Sequence, residues 1–179
     1  MQDTLTSWDF PMIRATRFGQ WALLALLLFP TIALAQAGDP VTVFVVRHAE
    51  RESTESDSPL SPVGAARAER LADMLMDAGI THAFSTEFVR TRATVAPLAA
   101  RLGVTPTVVP GRDLNALISA LQALPPGSRA LVAGHSNTIN QIAGRLGGLE
   151  IPALPETEYD RLYVVTIFDG KMSVVLVRF

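Results

Sequence analysis

Two apolar runs that each end at a histidine constrain this chain more than any other feature. The apolar residues 41–46 are followed directly by Arg47 and His48, and the apolar residues 130–133 lead through a glycine to His135. Continuous apolar runs of this length predict buried strands of a parallel sheet. Because open α/β sheets bind ligands at the carboxyl ends of their strands, polar residues at these exits predict a binding site there.

A third segment between these two adds further cations. Ser85 ends a short apolar stretch, and the helix predicted to follow it carries Arg90. If the three strands are neighbours, two imidazoles and at least two guanidinium groups converge at one sheet edge. Guanidinium forks match phosphate oxygens and remain cationic at any relevant pH. The pattern therefore indicates a phosphate site.

These segments resemble the signatures of the histidine phosphatase superfamily, which also contains the cofactor-dependent phosphoglycerate mutases. The three signatures are matched in family order by Arg47-His48-Ala49, by Ser85 with Arg90, Thr91 and Thr94, and by Gly134-His135. The resemblance covers about residues 41–179 and is closest to compact, exported members of branch 1. It implies a metal-independent phosphomonoester hydrolase that works through a phosphohistidine intermediate.

The resemblance also implies a role for each matched residue. His48 is the nucleophile, because a neutral imidazole is not repelled by a phosphate monoester that carries about two negative charges. Arg47 and Arg90 hold the phosphoryl group, and His135 donates to a phosphoryl oxygen as charge builds up. Neither a metal nor another cofactor is implied. The expected substrate-binding residues, at the start of the next helix, are Ser136 and Asn137.

The proton donor to the leaving alcohol is less well marked. Between Thr91 and Gly134 the only acidic residue is Asp113, which is therefore the first candidate. Asp113 also precedes a predicted helix, where aspartate is a preferred N-cap, so it can have either role or both. The weaker alternatives are Glu87, Glu50 and Asp160.

Residues 1–37 predict a secretory signal peptide. Arg14 and Arg17 precede the apolar stretch 21–35, and small residues allow cleavage after Ala35 or Ala37. Met12 is an alternative start. A retained membrane anchor is the competing interpretation, but the stretch contains a proline and is shorter than the roughly 20 apolar residues that span a bilayer. We therefore expect a periplasmic or secreted protein, exported by a Gram-negative type of leader.

Residues 38–179 are long enough for one domain with one core, here a histidine phosphatase domain. The alternation of predicted strands and helices favours a three-layer α/β/α sandwich with a mostly parallel sheet. Asp169-Gly170 predicts a C-terminal hairpin that adds an antiparallel edge. The formal net charge is -2, so nothing in the chain suggests a nucleic-acid partner. The chain has no cysteine. The sequence leaves the oligomeric state open.

Within the family, the expected substrate is a small phosphorylated molecule or a phosphorylated glycan. Two alternatives remain. One is a mutase-like phosphotransferase, which has to retain its phosphohistidine while substrate rebinds and so needs a site that excludes water. The other is a noncatalytic phosphate-binding module on the same fold, which would be favoured if His48 or an arginine were missing.

Overall fold

The computed structural model describes residues 38–179, so the predicted signal peptide and its cleavage sites lie outside the described residues. Six strands and four helices alternate along this part of the chain. In chain order they are β1 (Val41–Arg47), α1 (Pro62–Leu75), β2 (His82–Ser85), α2 (Val89–Leu102), β3 (Thr107–Val108), α3 (Leu114–Gln122), β4 (Arg129–Gly134), α4 (Ile139–Gly147), β5 (Arg161–Phe168) and β6 (Lys171–Arg178). None of the helices in residues 38–179 has the length and apolar character needed to cross a bilayer.

The strands form a single sheet in the order β3-β2-β4-β1-β5-β6. The three pairings that join β3, β2, β4 and β1 are all parallel, whereas β5 runs antiparallel to both β1 and β6. The predicted hairpin joins β5 to β6, with positive φ angles at Asp169 (50°) and Gly170 (69°), as its tight turn requires. The expected mostly parallel sheet with an antiparallel C-terminal edge is therefore confirmed.

One strand was not predicted from the sequence. Strand β3 consists only of Thr107 and Val108, both of which are exposed, and it pairs with the end of β2. Two exposed residues produce neither an apolar run nor an alternation, so hydrophobic periodicity gives no signal for such a strand.

The helices cover both faces of the sheet. The apolar face of α1 is buried against one side of the sheet, together with α2, and consists of Ala68, Leu71, Ala72 and Leu75. Helices α3 and α4 bury Leu121 and Ile142 in a second core on the opposite side, against Val43 and Val45 of β1. The three-layer α/β/α sandwich is therefore confirmed.

The strand order brings the three sequence motifs together. Strands β2, β4 and β1 are direct neighbours, and each carries one motif at its carboxyl end. Arg47 pairs with Gly134 in the ladder, and the backbone N–H of His48 donates to the carbonyl of Gly134 at 2.9 Å. Both histidine-bearing segments consequently leave the sheet at the same level.

Helix α1 supports the segment that follows His48. Ser61 caps the helix by accepting from the backbone N–H of Gly64, and Pro62 occupies its first turn. Gly64 lies directly against the backbone of Glu50, so that an added Cβ would be 2.1 Å from the Glu50 carbonyl oxygen. This contact leaves no room for any side chain at position 64.

We expect Gly64→Ala to lower the melting temperature, although alanine is favoured over glycine in a helix by about 1 kcal/mol. The clash is with backbone rather than with a flexible side chain, and overpacking of this kind typically costs about 1–3 kcal/mol. Thermal unfolding followed by circular dichroism tests this. Arg70→Ala, at an exposed position of the same helix, is the control; a stabilised Gly64→Ala protein would contradict the close packing.

Candidate active site

A cavity of about 540 Å³ opens at the carboxyl ends of β1, β2 and β4. Its lining is cationic: it includes four arginines and two histidines, but only one carboxylate. The predicted site residues that line it are Arg47, His48, Arg90, His135, Ser136 and Asn137. Asp113 is the predicted site residue that does not line it. No group of three or more His, Cys, Asp or Glu side chains in the described part of the chain is arranged to hold a metal ion.

The ring of His48 has one nitrogen free for chemistry. Its Nδ1 lies 2.8 Å from the carbonyl oxygen of Ala49. Because a carbonyl only accepts, this contact assigns the proton to Nδ1 and leaves the lone pair on Nε2. Burial, followed by the positive charges of neighbouring groups such as Arg90, lowers the pKa of His48 from 6.5 to about 3. The imidazole is therefore neutral over the whole physiological range.

His135 faces His48, with the ring centroids 5.4 Å apart. Its Nε2 lies 3.2 Å from the hydroxyl of Thr86, and its Nδ1 lies 3.5 Å from Nη2 of Arg90. Since a guanidinium only donates, Nδ1 is the acceptor and Nε2 carries the proton. Burial and the charge of Arg90 lower the pKa of His135 to about 4. The free site thus holds two neutral imidazoles.

Arg47 is held more tightly than the sequence predicts. Only 3% of it is exposed, and its guanidinium lies 4.0 Å above the ring of Tyr159. Nη1 donates to the backbone carbonyls of Glu156 at 2.7 Å and Glu158 at 3.1 Å. Nη2 donates to the carboxylate of Glu156 at 2.7 Å. The fork that was expected to hold phosphate is therefore occupied by the loop before β5.

Each of the two central arginines nevertheless keeps one buried donor without a partner. The Nε atoms of Arg47 and Arg90 are both buried and have no hydrogen-bond partner among the described residues. Nη1 of Arg90 donates to the carbonyl of Ser56 at 2.7 Å, which fixes its guanidinium. A buried N–H without a partner costs about 1–3 kcal/mol, and more when it is charged. This cost at two neighbouring cations is expected if a bound anion supplies the missing hydrogen-bond acceptors.

The second motif holds the first and third motifs in place. The hydroxyl of Thr94 accepts from the backbone N–H of Ala49 at 3.0 Å and donates to the carbonyl of Arg90 at 2.8 Å. The hydroxyls of Thr91 and Thr86 are 2.7 Å apart, and Thr86 contacts His135. Helix α2 is thereby hydrogen-bonded to the segments that carry both histidines.

The carboxylates suggested as proton donors are all engaged elsewhere. Asp113 is exposed and caps α3 by accepting from the backbone N–H of Ala116 at 2.9 Å. Its alternatives are also paired: Glu87 accepts from the N–H of Gly111, Glu50 pairs with Arg67, and Asp160 pairs with Arg178. The structure therefore gives Asp113 the capping role, and the catalytic role assigned to it stays a prediction.

The carboxylate that does line the cavity belongs to Glu156, which sequence reasoning missed. One of its oxygens accepts from Arg47, and the other accepts from the hydroxyl of Ser136 at 2.5 Å. The Ser136 hydrogen bond and the charge of Arg47 lower the pKa of Glu156 below its usual value, outweighing the opposite effect of its burial. Glu156 lies in an irregular segment beyond the last motif, where no pattern of spacing marks it.

Comparison with known proteins agrees with this geometry. The family model of the histidine phosphatase superfamily, branch 1, matches residues 43–115. The match covers less than half of the chain and includes the first two of the three motifs. A probable phosphoglycerate mutase, GpmB of Yersinia pestis, is 36% identical over 81 residues, which cover 41% of this chain and 38% of the relative. The chain thus spans well under half the length of the curated relatives that it matches.

Solved structures share the fold of the described part of the chain. The protein histidine phosphatase SixA, complexed with tungstate, superposes with a TM-score of 0.64 at 21% identity, covering 76% of this chain and 96% of SixA. A mycobacterial glucosyl-3-phosphoglycerate phosphatase gives a TM-score of 0.62 at 12% identity, covering 77% and 97%. At these identities the likeness establishes the fold alone.

We expect both site histidines to stay neutral well below pH 6.5, because burial and the neighbouring guanidinium groups disfavour their cationic forms. Long-range ¹H–¹⁵N NMR spectra recorded from pH 8 to pH 4.5 should show His48 as the neutral Nδ1–H tautomer throughout. Spectra of His48→Ala and His135→Ala assign the signals. A titration midpoint for His48 above about pH 6, near the reference value for a solvated imidazole, would contradict this electrostatic description.

Proposed function

We propose that this protein hydrolyses phosphate monoesters through a phosphohistidine formed on Nε2 of His48. The observation that carries the proposal is the state of that imidazole: it is neutral, its Nδ1 is committed to Ala49, and it lies in a cationic cavity. A neutral nitrogen with a free lone pair can approach a phosphoryl dianion without charge repulsion. The unpartnered Nε–H groups of Arg47 and Arg90 supply donors for its oxygens.

The reaction then has two steps. In the first, Nε2 of His48 attacks phosphorus, the N–P bond forms, the P–O bond to the substrate alcohol breaks, and that oxygen takes up a proton. In the second, a water oxygen attacks phosphorus, the N–P bond breaks, its electron pair returns to Nε2, and phosphate leaves. Arg47, Arg90 and His135 stabilise the charge that develops on the phosphoryl oxygens in both steps.

The lining of the cavity favours a small anionic substrate. Besides Arg47 and Arg90, the guanidinium groups of Arg51 and Arg112 face the cavity, and neither forms an ion pair within residues 38–179. An excess of cations attracts phosphorylated ligands and accelerates their association. We therefore infer that the substrate is a small phosphorylated molecule or a phosphorylated glycan; the glucosyl-3-phosphoglycerate phosphatase with the same fold is consistent with this class.

Two observations favour hydrolysis over the alternatives. The Glu156 side chain is 74% exposed although it lines the cavity, so solvent reaches the cavity in which the phosphohistidine would form. A mutase has to protect that intermediate from water, which argues against the mutase-like alternative. A noncatalytic binding module needs no nucleophile, whereas His48 has a nucleophilic nitrogen free beside both arginines.

Export by the predicted signal peptide remains part of the proposal. It places the phosphatase in the periplasm or outside the cell, where most cytosolic signalling phosphates are absent. The absence of cysteine means that folding there requires no disulfide.

The nucleophile assignment predicts a covalent adduct on one residue. Rapid quenching of the wild-type protein with a ³²P-labelled phosphate monoester should trap an acid-labile, base-stable label on the peptide containing His48. His48→Ala should lose both the label and about 10³-fold or more of the turnover, since removing the nucleophile removes the covalent route. The measurement is quench-flow followed by peptide mapping.

His82→Ala is the matched control. His82 begins β2 at the opposite end of that strand, and it contacts Thr81 rather than the cavity. This variant should keep the label and the turnover of the wild type. Full activity in His48→Ala, or a label on a residue other than His48, would refute the proposed mechanism.

The leader predicts a defined start for the mature protein. Expression in a Gram-negative host should give a periplasmic protein that begins at Gln36 or Gly38, because small residues stand at the required distances before both bonds. N-terminal sequencing of the periplasmic fraction measures this directly. Recovery of the intact chain in the membrane fraction would support the anchor interpretation instead.

A further inference from the structure

We propose that Glu156 is the catalytic proton-transfer group, giving a proton to the leaving oxygen in the first step and taking one from water in the second. This inference rests on the proposed phosphohistidine mechanism and adds a residue to it. It is carried by the position of Glu156, which supplies the only carboxylate among the described residues that line the cavity.

The competing carboxylates lie outside the cavity, and each has structural contacts of its own. Each of them is bound to a backbone N–H or to a guanidinium that holds a structural element together, and none lines the cavity; they are Asp113, Glu87, Glu50 and Asp160. Glu50, the nearest of these to His48 in sequence, accepts three hydrogen bonds from Arg67, the shortest at 2.7 Å.

Glu156 is fixed in place and still accessible. Its Oε2 accepts from Nη2 of Arg47 at 2.7 Å, and its Oε1 accepts from Ser136, the residue that follows His135. A carboxylate oxygen has two lone pairs, so each oxygen keeps one site for a proton from solvent or substrate. Since Arg47 directly precedes His48, these contacts tie the carboxylate to the segment that carries the nucleophile.

The proton balance closes over one cycle. In the second step, the attacking water forms the O–P bond, the N–P bond breaks toward Nε2 of His48, and the water proton passes to the Glu156 carboxylate. In the next turnover, the protonated Glu156 gives this proton to the departing alcohol oxygen as its P–O bond breaks. Glu156 is then ionised in the phosphohistidine intermediate and can accept the proton of the next water. Ser136 and Arg47, which lower its pKa, favour this ionised form.

The phosphoryl group itself promotes the donor state. A dianion bound in the cavity offsets the positive charge of Arg47 and lies close to the carboxylate of Glu156. A nearby like charge raises the pKa of a carboxyl group, so the substrate opposes the effect that keeps Glu156 ionised in the free protein. One carboxylate can therefore act as acid with substrate bound and as base toward water.

Glu156→Gln tests the proposal with little disturbance of the site. The Gln carbonyl can still accept from Arg47 and its amide can donate to Ser136, so both side chains keep a partner while the proton-carrying group is lost. Turnover of an alkyl phosphate should fall by about 10²–10⁴-fold, the usual contribution of general acid–base catalysis. The part of the pH dependence of kcat that arises from titration of Glu156 should disappear in this variant.

The identity of the leaving group separates the two steps. Nitrophenolate leaves without a proton, so with 4-nitrophenyl phosphate the variant should still form the phosphohistidine but hydrolyse it slowly. We expect a burst of about one nitrophenolate per active site and accumulation of ³²P on His48 relative to the wild type. With the alkyl phosphate the first step is itself impaired, so no adduct should accumulate.

Glu150→Gln is the matched control, because Glu150 is an exposed glutamate in the same α4–β5 connection, outside the cavity. It should show neither the burst nor the loss. Asp113→Asn is measured in parallel, and a leaving-group-dependent loss there but not in Glu156→Gln would overturn the proposal. A Glu156→Gln protein with wild-type turnover on both substrates would also overturn it. So would equal losses with a raised KM and no accumulated adduct, which would mean that Glu156 only positions Arg47.

The two proposals fail in different ways. If wild-type protein forms no adduct on His48, the phosphohistidine mechanism itself is wrong, and the role of Glu156 is refuted with it. If the wild type forms the adduct and Glu156→Gln neither accumulates it nor depends on the leaving group, the mechanism stands and only the proton-transfer assignment is wrong.

Discussion

The parallel pairing of β1 with β4 is the constraint on which the site depends. It sets Arg47 opposite Gly134, and the hydrogen bond from the His48 backbone to the Gly134 carbonyl extends this register by one residue beyond the strand. A slip of one residue would turn the side chain of His48 to the other face of the sheet. Because β1 is buried on both faces, apolar packing against the helices specifies the register that the chemistry needs.

The second constraint is the cost of burying cations. Arg47 is almost fully buried, and a guanidinium removed from water requires acceptors for its five N–H groups. Backbone carbonyls of the loop before β5 supply several of them, and the ring of Tyr159 covers its face. The demand for acceptors therefore explains how a loop distant in sequence is brought to the site, and Glu156 comes with it.

Sequence reasoning succeeded where a local pattern has a direct physical cause. The turn at Asp169-Gly170 and the three strand exits were predicted and are confirmed as structure. Strand β3 was missed because two exposed residues have no periodicity. Glu156 was missed because it does not follow the end of a strand. Its place depends on the pairing of β5 with β1, a long-range contact that no local pattern encodes.

The electrostatics of the cavity link binding to the protonation states of its imidazoles. In the free protein, burial and the uncompensated guanidinium charges both lower the pKa values of His48 and His135. A phosphoryl dianion offsets the guanidinium charge, so this part of the effect is lost when substrate binds, whereas the desolvation remains. His135, already hydrogen-bonded to Thr86, can then bind a second proton and donate a hydrogen bond to a phosphoryl oxygen. In the proposed reaction, the guanidinium charges therefore keep His48 neutral before attack, and the bound dianion, by offsetting these charges, favours the protonated form of His135 during it.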